Sequence, residues 1–94
     1  MYQPNQREVK NYLLGEPFSD AYFTKREAEC MMLIMQGYTN TQVAQLLSLS
    51  SRTVEFYIKN MRRKTGCESK ADLMNAIAKT DFLDKLDFTM EDLF

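Results

Sequence analysis

Residues 39–66 read TNTQVAQLLSLSSRTVEFYIKNMRRKTG, and this stretch decides the fold. Thr39, with Gln42 three residues on, forms a capping box. The hydroxyl accepts from the Gln42 backbone N–H while the Gln42 side chain reaches back to the cap. That predicts a helix over about 40–47. Ser50 opens a second helix over about 51–65, and Gly66 stops it. The link Ser48-Leu49-Ser50 has the length of the turn in a helix-turn-helix. At 100° per residue, the second helix divides into faces. Val54, Ile58, Met61 and Thr65 face the core, with Tyr57 at the edge. Arg52, Glu55, Phe56, Lys59 and Arg63 face outward, and Thr53, Asn60 and Lys64 form a lateral strip between. Cations on such a face meet phosphates or guanine edges in a major groove, and an apolar ring meets a thymine methyl. A merely solvated amphipathic helix accounts for the charges but not for Phe56.

Outward from this stretch, two more helix starts follow the same chemistry. Thr24-Lys25-Arg26-Glu27 is a capping box that predicts a helix over about 25–36, stopped near Gly37. Ser69, with Asp72 in the positive first turn, predicts a helix over about 70–80. Few segments alternate with period two for long enough to suggest strands. The expectation is an all-α, compact four-helix domain over 23–80, with an N-terminal extension at 1–22 and an acidic extension at 81–94. The net charge of −1 conceals a division along the chain: −1 over 1–22, +4 over 23–80 and −4 over 81–94. A basic centre with an acidic tail is an asymmetry of nucleic-acid-binding proteins, although ordinary surface charge also gives it.

Ninety-four residues, 45% hydrophobic and 27% charged, describe one small domain with one modest core. With no histidine, imidazole bases and histidine metal ligands are excluded. Cys30 and Cys67 are too far apart for a CxxC motif. They read as small apolar fillers in a reducing compartment, with a disulfide between them as the alternative. Nothing in the sequence reads as catalytic or as needing a cofactor. No stretch is long and apolar enough to span a bilayer, and the N-terminus has no apolar signal region, so a cytoplasmic location is expected.

Phe23-Thr24-Lys25-Arg26-Glu27-Ala28-Glu29, Gly37-Tyr38-Thr39-Asn40, Val43-Ala44, Leu47, Leu49-Ser50, Thr53-Val54, Asn60-Met61 and Lys64-Thr65-Gly66 together resemble the LuxR/GerE-type helix-turn-helix domain of bacterial transcription regulators. The resemblance covers about residues 23–80. It implies a four-helix domain whose third helix enters the major groove and whose fourth commonly dimerises. Base-reading positions fall on Glu55, Phe56 and Lys59, which match the outward stripe. Phosphate contacts fall on Thr53, Asn60 and Lys64, with Asn40 and Thr41 at the second helix's start; Arg52 and Arg63 add cations beside them. Ala71, Met74 and Ala78 form a stripe on the fourth helix that suits a two-fold homodimer. Three positions depart from the family pattern. Glu55 and Thr41 stand where lysines are usual, and Tyr57 where a histidine is usual. Fewer cations weaken non-specific binding, and Glu55 can accept from a cytosine amino group, so target specificity does not transfer.

Two features lie outside this frame. From Cys30 to Met35 the first helix is apolar almost all round, which calls for cover by flanking segments or for a partner patch. Val9, Tyr12, Leu13, Leu14, Phe18 and Tyr22 are candidates for the cover. In the tail, Phe82, Leu83 and Leu86 permit a short amphipathic helix continuing the fourth, with packing expected over 81–88 and disorder beyond. The reading as a whole is a regulator binding double-stranded DNA as a homodimer. The rivals are a protein-interaction module on the same scaffold, touching another regulator or the transcription machinery, and the promoter-reading domain of a sigma factor.

Overall fold

The computed structural model describes residues 11–18 and 20–93. Four helices form its body: α1 (Lys25–Met35), α2 (Asn40–Leu47), α3 (Ser51–Thr65) and α4 (Lys70–Ala78). Each starts where capping chemistry places it. Thr24, Thr39, Ser50 and Ser69 accept from the backbone N–H of Glu27, Gln42, Thr53 and Asp72 respectively, and the boxes at Thr24 and Thr39 are reciprocal. Three helix ends share one closure. The chain turns left-handed at Gly37, Ser48 and Gly66, and the next N–H returns to the helix: Tyr38 to the Leu33 carbonyl, Leu49 to Ala44 and Cys67 to Arg62. The middle closure makes the sharp corner between α2 and α3.

One buried cluster joins the elements. Val43 and Leu47 of α2, Val54, Ile58 and Met61 of α3, and Leu73 and Ile77 of α4 meet Met31, Leu33 and Ile34 of α1. Burial of this many large apolar side chains, at about 1.5–3 kcal/mol each, is the main force holding the four short helices together. The all-α expectation holds for the body, but the N-terminal extension adds a hairpin that the sequence did not announce. Strands β1 (Asn11–Leu13) and β2 (Tyr22–Thr24) pair antiparallel, with Asn11 opposite Thr24, Tyr12 opposite Phe23 and Leu13 opposite Tyr22. Phe23 and Leu14 are fully buried, whereas Leu13 and Tyr22 lie on the outer face of the hairpin.

The tail departs from its expected form. Thr80 ends α4 by donating its hydroxyl to the Ile77 carbonyl at 2.8 Å and accepting the Phe82 N–H at 3.1 Å. No helix continues α4; short 3-10 turns at Leu83–Lys85 and Met90–Leu93 follow instead. Phe82 and Phe88 are buried, as packing over 81–88 requires. Beyond Phe88, order replaces the expected disorder: Asp92 accepts from the Thr89 N–H at 2.7 Å, and Met90 and Leu93 pack on the core. Hairpin and tail meet over α1. The Phe23 and Phe82 rings stand edge-on at 5.2 Å, Tyr12 meets Phe88 at 5.8 Å, and the Tyr12 hydroxyl donates to Asp87 at 2.9 Å. This double cover accounts for the apolar girth of α1, where Cys30 through Ile34 are all buried. Of the proposed cover, Leu14 is buried, Tyr12 and Phe18 are half-buried, and Val9 lies outside the described residues.

Candidate nucleic-acid interface

The helix-turn-helix fixes which side of α3 meets solvent. Val54, Ile58 and Met61 are buried, so the opposite stripe must face out, and Arg52, Glu55, Phe56, Lys59 and Arg63 are all exposed. Phe56 is 57% exposed, its ring turned to solvent among the charges of this stripe. Its ring neighbour is Tyr57, 6.2 Å away and tilted by 52°. Lys59, Arg62, Arg63 and Cys67 line an open concavity of about 370 Å³, a cationic hollow beside that stripe.

The lateral residues are tied into the frame to different degrees. Thr53 sits 2.9 Å from the Ser50 hydroxyl at the start of α3. The Asn60 side-chain carbonyl accepts from Arg63 at 2.6 Å, which leaves its amide nitrogen as the free donor. Thr41 is exposed at the start of α2. Lys64, expected on a phosphate, has a different partner. Its ammonium lies 2.7 Å from the buried Glu27 carboxylate and over the Tyr22 ring at 4.9 Å. Glu27 also accepts from the Thr24 N–H at 2.9 Å, so one carboxylate caps α1 and anchors α3. Asn40 accepts from Lys70 at 2.8 Å, a contact between helix starts 30 residues apart that sequence spacing gave no means of finding.

On α4, Ala71 and Ala78 are exposed, while Met74 is half-buried against the core beside the buried Leu73 and Ile77. Both cysteines are free; Cys30 is buried and Cys67 half-buried. Burial pushes the Cys30 thiol up to about 12, against a smaller opposing pull from Arg26. Among the described residues no cysteine–carboxylate group could hold a metal, and no helix is long and apolar enough to cross a membrane.

A tight corner between two capped helices, with the second turning a cationic stripe and a bare aromatic ring to solvent, defines a helix-turn-helix protein of the nucleic-acid-binding class. The chain belongs to the luxR family of bacterial regulatory proteins, whose profile matches residues 21–77. It is therefore a DNA-binding domain of transcription regulators and not an enzyme. Among its relatives, a probable transcriptional regulator, ycf29, of Porphyra purpurea is 32% identical over 73% of this chain and 33% of its own length. The regulatory protein SdiA of Escherichia coli is 34% identical over 65% of this chain and 25% of its own. The oxygen regulatory protein NreC of Staphylococcus aureus is 35% identical over 74% of this chain and 31% of its own. The chain thus spans about a quarter to a third of the length of these relatives. No solved structure gives a significant match.

Proposed function

We propose that this domain regulates transcription in the cytoplasm by sequence-specific binding to double-stranded DNA, with α3 seated in the major groove. The observation that carries the reading is the outward stripe of α3, on which Arg52, Lys59 and Arg63 surround the exposed Phe56. In this reading Glu55, Phe56 and Lys59 address base edges, with the acid accepting from a cytosine amino group and the ring meeting a pyrimidine methyl. Asn40, Thr41, Arg52, Thr53, Asn60 and Arg63 hold the phosphates. Lys64, whose ammonium rests on Glu27, acts from beneath as a brace for α3. Two copies associate through Ala71, Met74 and Ala78 of α4, so that the target is a pseudo-palindrome.

Selection of duplexes from genomic DNA with the purified chain, followed by titration at fixed salt, tests this directly. Lys59→Ala is expected to cost about 1–3 kcal/mol on the selected site and far less on unrelated DNA. Equal binding by wild type and variant removes Lys59 from the base-reading set. Footprints with two-fold symmetry support the dimer, and a single asymmetric footprint rejects it. An interaction module touching only protein shows no steep loss of affinity with salt.

A further inference from the structure

The cations of this chain differ in what neutralises them. Arg26 ends on Glu29 at 2.8 Å, Lys64 on Glu27 at 2.7 Å and Lys85 on Asp81 at 3.2 Å, each a carboxylate. Lys70 is half-buried, and its ammonium ends on the neutral side-chain oxygen of Asn40 at 2.8 Å. Among the described residues no carboxylate pairs with it. Lys70 is the first residue of α4, where a positive charge opposes the helix dipole, and its ammonium reaches the first residue of α2, whose first turn holds no acid. Asp72 is two residues on and lies about 200° round the helix, on another face. The position is also held firmly. Arg62 donates to the Glu68 carbonyl and accepts the Cys67 N–H at 3.0 Å, which fastens the link that delivers Lys70 to α2. With its carbonyl oxygen taken by the ammonium, Asn40 has its amide N–H groups left to give.

We propose that Lys70 is a DNA phosphate contact, which supplies a charge itself and orients the Asn40 amide as a second donor to the same phosphate. This rests on the DNA-binding reading above and adds to it a residue from outside the helix-turn-helix. A phosphate there supplies the anionic partner that the folded domain alone does not give Lys70.

The test uses the full 94-residue chain, a selected duplex and an unrelated one, with affinity measured across a salt series. Lys70→Met is expected to weaken binding to both duplexes several-fold by the same factor, and to reduce the slope of log affinity against log salt by about 0.9. Lys70→Arg restores both. Asn40→Ala weakens binding too, and adding it to Lys70→Met costs less than the two separate losses combined. If Lys70→Met lowers the melting temperature but leaves the salt slope unchanged, Lys70 is a structural tie and the proposal is overturned. Unchanged affinity and slope overturn it equally, with the DNA reading intact. A wild-type chain that binds neither duplex overturns the DNA reading and this proposal together.

Discussion

Ser48 takes φ +58° at the corner of the helix-turn-helix, where the two matching helix ends use Gly37 and Gly66. A residue with a Cβ carries about 1–2 kcal/mol of strain in that conformation. Ser48→Gly is therefore expected to raise the unfolding free energy by up to about 1 kcal/mol, less the entropy glycine adds to the unfolded chain. Ser48→Val lowers it by at least about 1 kcal/mol, since a β-branched side chain fits there worst. Urea titration of the three proteins reads the order directly. The cysteines divide in reactivity for a different reason. Burial holds the Cys30 thiol protonated to about pH 12, whereas Cys67 is partly accessible. Iodoacetamide at pH 8 is expected to modify Cys67 and spare Cys30 in the folded protein, with peptide mapping as the check. The folded chain binds the Cys30 proton more tightly than the unfolded chain, whose thiol titrates near 9.0. Its contribution is thus complete below pH 9 and is lost as pH rises from 9 towards 12.

Among the elements, α1 and α3 are joined by Glu27, which is 3% exposed and serves Thr24 and Lys64 at once. Lys64→Met leaves that carboxylate buried without its cation, a loss of about 1–3 kcal/mol, whereas Lys85→Met, at the exposed pair with Asp81, costs well under 1 kcal/mol. Thermal unfolding of the two variants compares them, and equal effects reject the bracing role of Lys64. The starts of all four helices were legible because a cap and its N–H donor lie three residues apart. The outward face of α3 was legible because helical period alone sorts Val54, Ile58 and Met61 from Arg52, Phe56 and Lys59. Strands of three residues carry no period, so β1 and β2 left no trace. The ties from Lys64 to Glu27 and from Lys70 to Asn40 span 37 and 30 residues, and only the packed fold defines them. The tail misled because the apolar spacing at Phe82, Leu83 and Leu86 fits a helix, while Thr80 has already spent the local hydrogen bonds on ending one.

For the whole molecule, the acidic tail is a structural part, packed on α1 and the hairpin through Phe82, Phe88 and Leu93. Deleting residues 81–94 removes the Phe82 ring and uncovers Phe23 beneath it, and is expected to lower the melting temperature by roughly 10–20 °C. DNA affinity measured below the new transition should not rise. A several-fold gain in affinity at low salt with unchanged stability would mean that the tail competes with phosphate instead. The contact between Tyr12 and Asp87 also governs the order in which the chain can be completed. These residues are 75 positions apart, so the hairpin's buried side acquires its final neighbours only after Phe88 has left the ribosome. Until then Met31, Met32 and Leu33 lack part of their lid, and the nascent domain presents an adhesive surface for the roughly one to three seconds that synthesis of residues 81–94 requires. A pause in translation shortly before Phe82 would prolong that interval, and a chaperone's hold on the emerging chain would be strongest there.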